Sequence, residues 1–397
     1  MTLRFFVYLM VVVLLSSSCT SGRKQLQNPA ANSTIDSISW IETDTASIVS
    51  EAQKFLKQAP EPITSFRSAR SAGSIHDFHS EGDYWWPDPN NPDGPYIQLD
   101  GQSNPDIFNG HRLAMRNLNK WVSTLTAAYL LTNDERYAKH AILHLRSFFL
   151  NSETLMNPNL LFAQAIKGKV TGRGIGIIDT IHLIEITKAI QKLKSAGIMK
   201  DDDYFGLKKW FNDYATWMHT HPYGLDEKVH GNNHSTWWAA QMAAFADLAD
   251  RDDLKKVAIS QFKVLISAQM DKDGSFPDEI KRTKGYSYTL FNLEGYTILC
   301  HILSSKNENL WEYQGVHGSL RKAWEFMMPY IENKNNWPKG PDIAHFDELP
   351  IKSVGIEMAA CAYKNQDYMD ICRKLSSLKK SEEVERTFPL WQAILWF

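Results

Sequence analysis

From about residue 117 onward, apolar residues recur at the three- and four-residue spacing of helices that bury one face. Leu118, Trp121, Val122, Leu125 and Tyr129 form one stripe, and Tyr137, Ala141, Leu145, Phe148 and Phe149 the next. Asp134 stands between them as the expected N-cap, because its carboxylate can accept from the open amides of a first turn. Three further stripes follow: Leu207, Trp210, Phe211, Tyr214 and Met218; Trp238, Met242 and Phe245; and Leu254, Ala258, Phe262 and Leu265. Turn sequences such as Thr132-Asn133-Asp134, Asp250-Arg251-Asp252 and Asp271-Lys272-Asp273-Gly274 separate them. There is no convincing run of alternating strands, and no fixed period marks a simple repeat array. The pattern predicts an all-α fold, with successive helical hairpins closed into an (α/α) toroid or barrel as a single large domain.

Two segments break this pattern. Residues 73–112 are rich in Gly, Pro, Asp, Asn and Trp, including Glu81-Gly82-Asp83-Tyr84-Trp85-Trp86-Pro87-Asp88-Pro89. A long irregular loop inside a compact domain is usually functional. Residues 156–179 hold Asn157-Pro158-Asn159-Leu160, Gln164 and Gly172-Arg173-Gly174-Ile175-Gly176. Those glycines do not make a dinucleotide fingerprint, because no strand is expected before them.

The N-terminus reads as an address. Arg4 precedes an apolar run from Phe5 to Leu15, then Ser16-Ser17-Ser18-Cys19. The run is too short to span a bilayer, so residues 1–18 are expected to be a cleaved signal peptide. Cys19 resembles a bacterial lipoprotein acceptor, although Ser16 stands where an aliphatic residue is usual. Lipidation at Cys19 implies periplasmic or outer-membrane placement, and plain secretion is the alternative. Residues 19–37 form a polar tether and residues 38–397 the folded domain.

Composition narrows the partners. A net charge of -2 gives no global attraction for nucleic acid, so an acidic ligand would need a local basic patch. Hydrophobic content of 43% supplies a large core, and aromatic content of 12% suits carbohydrate-facing surfaces as well as that core. Cys300, Cys361 and Cys372 form no CxxC pattern, leaving one disulfide or three thiols open. His76-x-x-His79 and His219-x-His221 with His230 show no defined zinc spacing, and no catalytic metal or other cofactor is expected.

The chemistry concentrates in Gly231-Asn232-Asn233-His234 and, about fifty residues later, Lys281-Arg282-Thr283-Lys284-Gly285-Tyr286-Ser287-Tyr288. The first offers amide donors and an imidazole; the second offers guanidinium, ammonium and phenol groups. Together these can remove a proton from a carbon beside a carboxylate and expel a leaving oxygen. Asn232-Asn233-His234-Ser235-Thr236-Trp237-Trp238 resembles the Asn-Asn-His motif of the alginate-lyase superfamily of polysaccharide lyases. Arg282 and Tyr288-Thr289-Leu290-Phe291-Asn292-Leu293 resemble its Arg and Tyr segment. Asn159 to Gln164 and Gly172 to Asp179 resemble its substrate-binding segments, and Trp85-Trp86-Pro87-Asp88-Pro89 resembles a bacterial branch acting on alginate or glucuronan. The resemblance implies an (α/α) barrel and β-elimination on 1,4-linked uronate polymers, alginate first and glucuronan second.

Three jobs follow from that chemistry. Asn233 and Arg282, with Gln164 behind them, are the candidates for neutralising the uronate carboxylate. His234 is the candidate base, since a neutral imidazole titrates near physiological pH. Tyr288 is the candidate acid and a second candidate base, and Tyr286 is its rival. Syn elimination on mannuronate or glucuronate allows one tyrosine to do both; anti elimination on guluronate requires His234 and Tyr288 together. Arg173, His111 and Arg112 are expected at subsites for neighbouring carboxylates. Trp85 and Trp86 are expected to stack on sugar rings or to anchor the turn. A non-catalytic glycan-binding lipoprotein is the alternative from another class. A glycoside hydrolase is a third, and it would need two cleft-facing carboxylates, for which Asp278, Glu279 and Glu294 are available.

Overall fold

The computed structural model describes residues 43–379 and 381–397. The expected signal peptide, the Cys19 lipidation site and the tether at 19–37 lie outside the described residues. Helix α1 (Thr45–Phe55) opens the described chain. It is followed by three short strands, β1 (His79–Glu81), β2 (Trp85–Trp86) and β3 (Ile97–Gln98). Helices α2 (Gly110–Thr132) and α3 (Glu135–Phe149) form the first long hairpin. Its turn is set by Asn133 in the left-handed region (φ 56°) and by Asp134, whose side chain caps α3 by accepting from the Arg136 amide, as expected.

Strand β4 (Phe162–Ala165) then pairs in parallel with β1, and β2 pairs antiparallel with β3. The helices α4 (Leu183–Ser195), α5 (Asp201–Thr220), α6 (Pro222–Lys228), α7 (Asn233–Leu248) and α8 (Asp252–Gln269) continue the array. It closes with α9 (Pro277–Ile280), α10 (Gly285–Leu303), α11 (Leu320–Glu332), α12 (Val354–Tyr363), α13 (Gln366–Lys374) and α14 (Glu382–Thr387).

All five predicted stripes point inward, with Tyr129 alone only half-buried. Helices α7 and α10 have almost no exposed face: 14 of the 16 residues of α7 and 15 of the 19 of α10 are buried. A helix apolar all round belongs inside, and these two pack against each other in the interior of the (α/α) toroid. Their close approach depends on Gly295, where an added Cβ would meet Thr236 Cγ2 at 3.2 Å and the Trp237 ring at 3.2 Å. The N-termini of both helices emerge at the same end of the toroid, which brings Asn233-His234 and Arg282-Tyr288 to one mouth.

Three expectations about local structure change. The helical array predicted from residue 117 begins at Gly110, after α1, so His111 and Arg112 lie in the first turn of α2 and not in the irregular loop. The loop itself holds short strands that periodicity does not reveal, because two- and three-residue strands are shorter than any pattern. A strand, β4, does precede Gly172-Arg173-Gly174. The segment then turns into a 3-10 stretch, Gly174–Thr180, which has no long helix N-terminus to hold a phosphate.

Candidate active site

A cavity of about 650 Å³ opens at the mouth of the toroid. Asn233, His234, Arg282, Tyr288, Gln164, Arg173, Arg112 and Trp85 all line it.

His234 is placed by the start of α7. Gly231 takes φ 95°, which an L side chain rarely adopts, and Asn232 is the N-cap, its Oδ1 accepting from the His234 amide at 3.1 Å. The imidazole is then fixed by Glu227 from α6. Its Oε1 lies 2.8 Å from His234 Nδ1, and the glutamate is fully buried. The carboxylate accepts a hydrogen bond from Nδ1–H, which keeps the ring proton on Nδ1 and leaves Nε2 as the basic nitrogen on the cavity side. Burial lifts the Glu227 carboxyl above the ordinary range, with His234 working against that rise. Glu227 Oε2 has no hydrogen-bond partner among the described residues, and Oε1 is held by His234.

Asn233 occupies the first helical position, one residue inside the cap. Its amide donates to Glu279 Oε1 at 2.7 Å and its Nδ2 to Oε2 at 2.8 Å. Buried Glu279 therefore orients the side-chain amide, which keeps a second Nδ2 hydrogen. Arg282 follows α9 and is gripped along one edge by Asp100, with Nη2 2.6 Å from Oδ1 and Nε 3.3 Å from Oδ2. Its guanidinium lies 4.2 Å from the centre of the Tyr288 ring. Burial would pull its pKa down, but the Asp100 hydrogen bonds and charge, with the electrostatic pull of Tyr288 and Glu279, together outweigh it and the group remains a cation.

Tyr288, on the first turn of α10, meets Tyr84 of the irregular loop, hydroxyl to hydroxyl at 2.8 Å. The two phenols titrate as a pair. Burial and the neighbouring Tyr84 hold Tyr288 protonated. Burial also opposes ionisation of Tyr84, but Arg386 and Lys284 override it and draw its pKa below the phenolic value. Arg386 Nη2 lies 3.4 Å from the Tyr84 hydroxyl, and Lys284 Nζ lies 5.4 Å from its ring. Arg386 and Lys284 are themselves paired with Glu383 at 2.6 and 2.5 Å.

On the opposite wall Gln164 sits in the left-handed region (φ 51°), with its Oε1 accepting from Arg173 Nη2 at 2.9 Å. Desolvation lowers the Arg173 guanidinium to about 10.

Four expected site residues do other work. His111 is buried away from the cavity: its Nδ1 accepts the His79 amide at 2.8 Å and its Nε2 donates to the Phe66 carbonyl at 3.2 Å. Both ring nitrogens are used, so it pins β1 to α2 instead of meeting substrate. Arg112 reaches the cavity wall but is spent on Asp83 (2.5 Å), Asp179 (3.0 Å) and the Glu81 carbonyl (2.8 Å). Trp86 lies outside the cavity lining and donates its indole N–H to the Gln102 carbonyl, the turn-anchoring role. Tyr286 is fully buried among Trp337 and Phe346 with its hydroxyl on the Tyr330 carbonyl. Helical geometry separates it from Tyr288, because residues two apart face different ways.

Tyr84, Asp100, Glu227, Glu383 and Arg386 were not singled out from the sequence. Glu227 carried the one local signal, a carboxylate seven residues before the histidine. The others arrive from 182 or more residues away, or from the C-terminal helix α14. The three carboxylates weighed for a hydrolase do not form a cleft pair. Asp278 is exposed beside Lys281, Glu279 holds Asn233, and Glu294 is buried on Ser353 and Gly355.

Residues 63–337 match the family model described as Alginate lyase. An alginate lyase crystal structure from Bacteroides ovatus is 30% identical, the match covering 91% of this chain and 98% of that one with a TM-score of 0.79. Alginate lyase A1-III from Sphingomonas species A1 is 16% identical over 81% of this chain and 89% of that one, with a TM-score of 0.52, a likeness of fold alone. An alginate lyase from Pseudomonas aeruginosa is 26% identical over 190 residues, 46% of this chain and 51% of that protein. The chain thus spans about half the length of the curated relatives it matches.

Proposed function

The chain belongs to the alginate lyase family, and we propose that it is a polysaccharide lyase that cleaves 1,4-linked alginate by β-elimination. The observation that carries this reading is the convergence of Asn233, His234, Arg282 and Tyr288 on one cavity from the starts of α7 and α10.

A uronate in that cavity places its carboxylate between the remaining Nδ2 hydrogen of Asn233 and the Nη1 side of Arg282, which Asp100 leaves uncovered. Neutralising that carboxylate acidifies the neighbouring C5–H; one preorganised donor at such developing charge is worth ~10²–10³ in rate. His234 Nε2, backed by Glu227, accepts the C5 proton where it lies anti to O4. Tyr288, held protonated, donates to the departing O4. Where the proton and O4 lie on the same face, as in mannuronate, the Tyr288–Tyr84 pair serves both steps, with Tyr84 the phenol that ionises first. The products are a new reducing end and a 4,5-unsaturated uronate. The test is ultraviolet absorbance of that double bond on polymannuronate, polyguluronate and glucuronan; silence on all three would sink the reading.

The placement is periplasmic or outer-membrane, through a lipid on Cys19. Its support is Arg4, the apolar run to Leu15 and the small residues before Cys19. Labelled palmitate incorporated by the full chain and lost in Cys19→Ala is the expected result; label retained in the variant would exclude that anchor.

A further inference from the structure

The cations around the reacting groups are already neutralised. Arg282 pairs with Asp100, Arg112 with Asp83 and Asp179, and Arg386 with Asp83 and Glu383. Three cations form no ion pair among the described residues: Arg173, which lines the cavity, and Lys169 and Lys167, which line the hollow beside it. Arg173 donates to the carbonyl and the amide oxygen of Gln164. Lys167 and Lys169 are exposed.

Aromatic rings align these three charges. Arg173 Cζ lies 5.7 Å and Lys169 Nζ 5.2 Å from the centre of the Trp85 ring, and Lys167 Nζ lies 5.5 Å from that of Tyr96. The row therefore starts inside the cavity at Arg173, passes Trp85 and ends outside at Lys167. The turn that carries the lysines is built to hold them. Ile166 and Val170 exchange amide hydrogen bonds at 2.9 and 3.1 Å. Gly168 takes φ 75°, and a Cβ there would stand 2.8 Å from Pro95 Cα, so the turn lies directly on the Pro95-Tyr96 backbone. The Tyr96 amide fastens it by donating to the Lys167 carbonyl at 3.1 Å. Beside the turn is an open hollow of about 700 Å³, lined by Arg70, Lys167, Lys169, Thr171 and Tyr223 among others. Arg70 is taken up by Glu81, which leaves the lysines as its uncompensated charge.

Resting on the lyase reading above, we propose that Lys167 and Lys169 form a distal subsite for the carboxylates of a polyuronate chain that runs out of the cavity across Trp85. A polyuronate presents one anion per sugar, and a row of uncompensated cations on a fixed turn is complementary to such a ligand. Arg173 serves the sugar nearest the reaction, and the lysines serve sugars beyond it. The subsite thereby favours long chains over short ones, and salt weakens it because the lysines are exposed.

The test is affinity electrophoresis of the full chain through gels containing polymannuronate, polyguluronate or a neutral glucan, in a Tyr288→Phe background so that the polymer survives. Adding Lys167→Gln and Lys169→Gln is expected to weaken retention on at least one uronate polymer by about fivefold, the scale of two exposed ion pairs. Lys306→Gln with Lys339→Gln, which removes the same charge from exposed positions elsewhere, is expected to leave retention unchanged. Equal retention of the two double variants, or equal loss in both, overturns the subsite. The lyase reading is judged separately, by the double bond formed by the unsubstituted chain. Product formation with equal retention sinks the subsite alone; lysine-dependent retention without product sinks the lyase reading alone. No retention on any uronate polymer sinks the subsite whatever the product assay reads.

Discussion

The hydroxyl of Tyr84 lies 2.8 Å from the hydroxyl of Tyr288, although 204 residues separate them in the chain. One comes from the irregular loop and the other from the first turn of an interior helix. The contact joins the loop to the chemistry and gives the acid a partner that ionises more readily than it does. Tyr288→Phe removes the O4 proton donor, and kcat is expected to fall ~10²–10⁴-fold. Tyr84→Phe removes the phenol of the pair that ionises first, and the expected loss on polymannuronate is likewise ~10²–10⁴-fold, the scale of a general base. Rates of double-bond formation on polymannuronate check both; a Tyr288→Phe enzyme at full rate would remove the phenol from the mechanism.

Glu227 touches His234 and not the substrate, so it is a positioning residue. In Glu227→Gln the amide can donate to Nδ1, which places the ring proton on Nε2 and blocks base action. The expected kcat loss is about 10–100-fold, the rate equivalent of one misplaced hydrogen bond to a charged group. KM should stay within about twofold, because binding groups are untouched. The loss should also be larger on polyguluronate than on polymannuronate. A change in KM alone would argue for a purely structural Glu227.

Arg386 ties α14 to the cavity through Asp83 at 2.7 Å and Glu383 at 2.6 Å. It lies beyond residue 337, where the family match ends. Arg386→Met removes one of the two cations on each carboxylate, leaving Asp83 to Arg112 and Glu383 to Lys284. Unfolding free energy is expected to fall by about 1–2 kcal/mol, the scale of hydrogen bonds to charged groups, and Tyr84 to lose a charge that favours its ionisation. Denaturant midpoints and kcat/KM measured on the same variant check the pair; an unchanged midpoint would show that α14 is held by apolar packing alone.

His111 gives a pH test. Burial depresses its pKa from 6.5 to about 4, and both nitrogens are hydrogen-bonded in the neutral form. A depressed folded-state pKa contributes stability that is present above pH 6.5 and is lost as pH falls toward 4, by about 1.4 kcal/mol per unit once the unfolded histidine is protonated. The stability gap between the unsubstituted chain and His111→Asn should therefore narrow from pH 6.5 to 4 in denaturant titrations. A gap that widened would mean the folded state binds the proton more readily than the unfolded chain.

Five helical stripes, the Asp134 cap and the Asn233-His234 and Arg282-Tyr288 segments were all legible in the chain. Each is set by local rules: burial of one face every 3.6 residues, a short polar side chain at a helix start, and a set of donors at close spacing. That information was enough to predict an all-α toroid and to name the residues that share its mouth. The tertiary structure alone decided which neighbours each group keeps. It spent Arg112 on Asp83 and Asp179, pinned His111 to β1, turned Trp86 to the Gln102 carbonyl and buried Tyr286 two positions from Tyr288. It also delivered Tyr84, Asp100 and Arg386 from distant segments. Charge neutralisation and hydrogen-bond satisfaction depend on distances of a few ångströms in space, and residues hundreds of positions apart meet at those distances only after the core has folded.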